Sequence, residues 1–132
     1  MTFDAQEIFA NLAEKEKVKG HHSPEGRAIT TLSRALSGWS AKNLSARDVI
    51  VLCDQAVEDW LKARLKRSPW SVETVPALLL DATDHDFITR AEAERLQKIH
   101  ELRARVGEPA ESFAAEVEAA LEFCIHLIEK HW

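Results

Sequence analysis

Apolar residues recur at spacings of three and four along most of the chain, the period of a helix with one buried face. The pattern predicts five main helices and one short one. The first covers about Asp4 to Val18, with Ile8, Phe9 and Leu12 on one face. A second follows Ser23-Pro24, an N-cap with proline at the first helical position, and carries Ile29, Leu32, Leu36 and Trp39. The third opens with Ser45-Ala46-Arg47-Asp48, an acidic variant of the capping box. It bears two apolar stripes, Val49, Leu52, Cys53, Ala56 and Trp60 beside Ile50, Val57, Leu61 and Leu65. So wide an arc predicts a central helix packed on two sides. Val49-Ile50-Val51-Leu52 could instead begin a buried strand, but Gln55 to Trp60 follows where a glycine-rich turn would be needed, so helix is preferred. A short helix runs from about Val75 to Ala82. Thr89-Arg90-Ala91-Glu92 is a complete capping box opening a helix from Arg90 to Val106, ended by Gly107 and Pro109. The last helix runs from about Phe113 to His131, with Val117, Ala120, Leu121, Cys124, Leu127 and Ile128 inward.

Short connections favour antiparallel neighbours, so the expected fold is an all-α, up-and-down helical bundle of four to five main helices plus the short one. Residues 1–132 read as a single domain, with 1–22 an additional N-terminal helix and loop. The four glycines and four prolines mostly fall where helical periodicity starts or stops. At 132 residues such a domain buries roughly two-thirds of its unfolded surface and needs no staple.

Charge narrows the functional classes. A formal net charge of −5 argues against a surface given over to nucleic acid or an anionic membrane. The acidity is uneven. Arg90 to Arg105 holds five basic residues against three acidic ones, while Glu111 to Trp132 holds five glutamates and one lysine. No apolar run approaches the ~18 to 20 residues that span a bilayer, and no basic region followed by an apolar one marks a signal peptide. Cys53 and Cys124 lie in apolar helical stretches, as buried, reduced thiols of a cytoplasmic protein would.

Most candidate chemistry falls away on inspection. His85-Asp86 is the dipeptide of helical metal phosphohydrolases, yet these need a later aspartate and none follows Asp86. Glu122, His126 and Glu129 share a helix face, but no Glu-x-x-His motif of a di-iron bundle occurs. His21-His22 lacks the spacing of a zinc site. Nucleophile-elbow, dinucleotide and Walker-type loops are missing. No metal and no cofactor is therefore expected. Lys62, Arg64, Lys66 and Arg67 end the third helix, where cations complement the macrodipole. The helix from Arg90 is more informative. Ile88, Leu96, Ile99 and Val106 make its apolar arc, opposite Glu94, Lys98, Glu101 and Arg105, with Glu94→Lys98 and Glu101→Arg105 spaced as ion pairs. Arg103 falls inside the apolar arc, with His100 at its border. A charge there either snorkels past the core or points into a seam between packed bundles.

The chain from about Ala28 onward resembles the HEPN superfamily of small, usually dimeric helical bundles. The resemblance rests on the helix ending Trp60-Leu61-Lys62-Ala63-Arg64-Leu65, the short helix with Leu78-Leu79-Leu80, the Leu96…Leu102-Arg103 helix, and the helix containing Glu116 to Phe123. It implies a place among RNA-cleaving toxins, nucleotidyltransferase partners and accessory domains. In that family an Arg-Asn-x-x-x-His type sequence of two subunits converges at the dimer interface and cleaves RNA without metal. Arg103 matches the family arginine, Ala104 stands where asparagine is common, and Glu108 stands where the histidine would be. Glutamate there repels phosphate and donates no proton unless its pKa is raised well above ~4.3.

The resemblance thus implies a catalytically silent HEPN-like module, homodimeric, with Arg103, Glu108, His100, Leu96 and Ile99 at its dimer or binding seam and a nucleotidyltransferase-like protein as a candidate partner. A second reading is a metal-independent endoribonuclease with a rewired site, Arg103 stabilising phosphate and His100 moving the proton. A third is a structural protein-interaction domain. RNA or nucleotide binding is not supported by the net charge, and no membrane association is expected.

Overall fold

Ser45 and Asp48 close a reciprocal cap: the Asp48 amide donates to Ser45 Oγ at 3.2 Å and the Ser45 amide to Asp48 Oδ2 at 3.5 Å. Thr89 and Glu92 repeat the arrangement at 3.1 and 2.8 Å. Thr74 accepts from the Ala77 amide at 3.4 Å, with a proline in the first turn behind it. Each cap satisfies amides that the helix itself leaves without partners. These starts define three of the five helices whose bounds fall within the described residues of the computed structural model. The five are α1 (Pro24–Ser40), α2 (Ala46–Arg64), α3 (Val75–Asp84), α4 (Arg90–Ala104) and α5 (Ala114–Lys130).

The structure describes residues 24–68, 70–104 and 114–130, with positions 7, 10, 11, 13, 14 and 17 ahead of them. Those six isolated positions are helical. The rest of the expected first helix, the His21-His22 loop, Ser23 and Glu108 lie outside the described residues. Among the described residues the fold is all-α, a helical bundle without strands.

Helix α2 is the hub, packing against α1, α3, α4 and α5. Its two apolar stripes account for this: Val49, Cys53, Ala56 and Trp60 are buried on one, and Ile50, Val57 and Leu61 on the other. Helix α5 contributes Val117, Ala120, Leu121, Cys124, Leu127 and Ile128 inward, as the periodicity requires, and Ile125 besides. Side-chain contacts fix the direction of α4 against α5. Glu92 pairs with Lys130 at 3.1 Å, and Arg95 lies over the Phe123 ring at 5.2 Å. Moving forward along α4 therefore moves backward along α5, and the two are antiparallel.

Two glycines stand near the two ends of one helix. Gly26 lies in the first turn of α1 and Gly38 near its last. A Cβ added at Gly38 would collide with Leu44 Cγ and Cδ1, so the chain turning back after α1 needs the missing side chain. No helix among the described residues is long and apolar enough to cross a membrane.

Candidate functional site

His100 and Arg103 stand three residues apart on α4, which puts both on one helix face in its last two turns. They converge on Asp54 of α2. Arg103 Nη1 donates to Asp54 Oδ2 at 2.9 Å, and His100 Nδ1 lies 3.0 Å from Oδ1 and 3.1 Å from Oδ2. Asp54 is 2% exposed, whereas the His100 and Arg103 side chains are 32% and 44% exposed. A buried carboxylate thus sits beneath two donors that also reach solvent. Removing a carboxylate this deep from water is costly, and the two charge-assisted bonds offset that cost. The arginine of the apolar arc keeps solvent access while its guanidinium is held by a buried carboxylate. It turns back onto an anion of its own chain.

Asp54 is the residue that periodicity passed over. It lies four positions after Ile50 and three before Val57, so it interrupts the second apolar stripe of α2. A carboxylate inside one apolar stripe and an arginine inside another are the complementary signals of this site.

The remaining seam candidates are placed differently. Leu96 and Ile99 are buried at 1% and 3% in the core of the single chain, so they offer no surface to a partner. Of the described seam residues, His100 and Arg103 keep solvent access. Glu94 and Lys98 form no ion pair with each other, Glu101 accepts from Gln97 Nε2 at 3.4 Å, and its expected partner Arg105 lies outside the described residues.

The basic end of α2 is held by the fold. Lys62 is buried, donates from Nζ to the Ser71 carbonyl at 2.9 Å and lies 3.8 Å from Glu58. Arg64 sits 6.0 and 5.8 Å over the rings of Trp60 and Phe87. Arg67 bridges Glu73 and Asp81 at 2.7 and 2.9 Å, and these carboxylates raise its pKa further. Three of the four cations are thereby spent on structure, which argues against a basic RNA-gripping patch.

His85 and Asp86 form the turn after α3, where His85 Nδ1 donates to the Asp81 carbonyl at 2.8 Å and the ring stacks on Phe87. His126 Nε2 stands 3.8 Å from Glu122 Oε1 on the outer side of α5. Among the described residues no group of three or more His, Cys, Asp or Glu side chains is disposed to hold a metal ion.

With Nδ1 donating to Asp54, His100 Nε2 carries the lone pair in the neutral ring and has no hydrogen-bond partner among the described residues. A carboxylate-oriented imidazole of this kind can accept a proton, and an arginine beside it can hold an anion. The arginine's charge, however, is matched by Asp54, which reduces its pull on phosphate. Comparison with protein-family models, curated proteins and solved structures returned no match to this chain.

Proposed function

We propose that the chain is a non-catalytic, HEPN-like helical binding module that acts as a homodimer. The observation that supports this most is the engagement of Arg103 and His100 by the buried Asp54 of their own chain. The arginine that the resemblance would assign to RNA cleavage here clamps α4 to α2, with its charge compensated. Glu108, at the position of the family histidine, adds an anion to the sequence and not an acid–base group matched to neutral pH. Purified protein incubated with total RNA is expected to leave it intact, and to sediment as a dimer at tens of micromolar. RNA cleavage that persists across preparations, or a strict monomer, overturns the corresponding half of the reading.

One observation favours the ribonuclease alternative: His100 Nδ1 is oriented by a carboxylate, leaving Nε2 as a general base. That reading requires cleavage abolished by both His100→Ala and Arg103→Ala in variants of unchanged helicity. Cleavage retained in either variant would assign it to a contaminant.

A further inference from the structure

Helices α3 and α4 enclose an open groove of about 510 Å³ between them. Leu79 forms its floor, and Leu80, at 63% exposure, is one of its walls. Beside Leu80, Pro76 and Ala77 are also exposed, so α3 presents an apolar patch on its outer side, next to Thr83 and the exposed Asp84 that line the same groove. An exposed apolar patch rimmed by polar residues marks a protein contact. The α4 rim of the groove carries Arg90, Glu94, Lys98 and Glu101, all exposed. Among the described residues, Arg90, Glu94 and Lys98 have no ion-pair partner.

The order of those rim charges identifies the occupant. Read along α4 they run plus, minus, plus, minus, and read backward they run minus, plus, minus, plus. A helix with that pattern is complementary to an antiparallel copy of itself. Two copies related by a two-fold axis midway between Glu94 and Lys98 set Glu94 against Lys98 and Lys98 against Glu94 of the second copy. The same axis, within half a residue, sets Arg90 against Glu101 and the reverse. A two-fold perpendicular to both helices keeps each flank of α4 facing the same flank in the copy. Both α3 helices then lie on one side, and both Leu80 side chains are carried toward the shared groove. At 1.5 Å per residue α4 offers about 22 Å of rim for this pairing.

The geometry points to the α3–α4 groove as an isologous interface with a second copy of this chain, α4 packed antiparallel on α4, with Leu80 as its apolar anchor and the four rim charges setting its register. The inference rests on the homodimeric reading and places the dimer on a surface other than the His100–Arg103 face.

Charge reversal and its restoration test it by sedimentation velocity at 0.1 M salt. Lys98→Glu sets Glu against Glu94 twice per dimer, and the dimer is expected to weaken at least about tenfold. The double variant Glu94→Lys, Lys98→Glu restores opposite charges across the axis, and its dissociation constant is expected within about threefold of the unaltered chain. Both positions are exposed, and far-UV circular dichroism confirms that the variants keep their helices. A dimer indifferent to Lys98→Glu overturns the groove assignment while leaving dimerisation standing. Failure of the double variant to recover also overturns it. A monomer at tens of micromolar for the unaltered chain overturns both.

Discussion

Asp59 shows how a single carboxyl is tuned by its place on the hub helix. Burial pushes its pKa up, and the neighbouring Glu58 adds to this, while the Gln55 hydrogen bond and the charges of Arg27 and Lys62 act against it. Gln55 Nε2 donates to both Asp59 Oδ1 and Glu58 Oε2 at 3.2 Å. A carboxyl with a folded-state pKa above its unfolded value binds its proton more tightly when folded. Folding is therefore favoured at low pH and loses that contribution as pH rises from the unfolded pKa through the folded one. Asp59→Asn keeps an oxygen for Gln55 and removes the charge. It is expected to raise the thermal midpoint at pH 7, with the gain vanishing once the pH falls below the range in which Asp59 ionises. Melting curves of both proteins between pH 3 and 7 measure this, and a gain that persists at pH 3 sinks the explanation. Asp59 and Asp54 carry the same side chain on the same helix, yet one only shares an amide donor while the other binds a cation. Periodicity drew attention to Arg103 as a charge inside an apolar arc. The same test applied to Asp54, between Ile50 and Val57, marks a second charge inside an apolar stripe. What no helical wheel supplies is the pairing of the two wheels, because the rotation of α4 against α2 is set by packing.

At the scale of the element, helix starts were more legible than helix stops. The reciprocal caps at Ser45 and Thr89 are made of side chains, so they are written in the residue types. The stops are made of backbone. After α1, α2 and α3 the chain passes through a left-handed residue, Lys42, Lys66 and Asp86, with φ near +59, +58 and +59°. In each case two carbonyls of the last turn accept amides across it. Lys66 and Arg67 donate to Ala63 and Lys62, and Asp86 and Phe87 to Thr83 and Ala82. Asn43 and Lys42 donate to Gly38 and Trp39 in the same way. These are Schellman closures, which usually place glycine at the left-handed position. With lysine or aspartate there, the glycine stop signal is missing at the left-handed position, and Gly38 stands inside the last turn of α1 and not after it. A non-glycine residue in that conformation is strained by about 1–2 kcal/mol, while glycine loses roughly 0.5–1 kcal/mol more backbone entropy on folding. The strain is the larger effect, so Lys66→Gly is expected to stabilise the protein by about 0.5–1 kcal/mol in urea unfolding. Lys66 is exposed, which keeps lost packing out of the comparison. A destabilised Lys66→Gly would show that the lysine side chain does more than tolerate its geometry.

At the scale of the whole molecule, the two thiols report whether the bundle opens as one unit. Cys53 of α2 and Cys124 of α5 are both free and fully buried, where the hub helix meets the last one. Contact with Cys124, followed by burial, pushes the Cys53 thiol well above its usual range. Thiolate is the reactive form, so Cys53 in the folded protein is inert, and modification of either residue requires α2 and α5 to separate. Because α2 also packs on α1, α3 and α4, that separation dismantles the core and is expected to coincide with global unfolding. A core change on a third helix distinguishes global from local opening. Ile29 of α1 is fully buried, and Ile29→Val costs about 0.5–1.5 kcal/mol. If opening is global, both thiols label faster by the same factor, roughly two- to tenfold, in native buffer with a slow alkylating reagent. Mass spectrometry of the two cysteine peptides reads each rate separately. Acceleration at one cysteine alone would mean that α2 and α5 part without the rest of the bundle, and the hub would then be two cooperative units and not one.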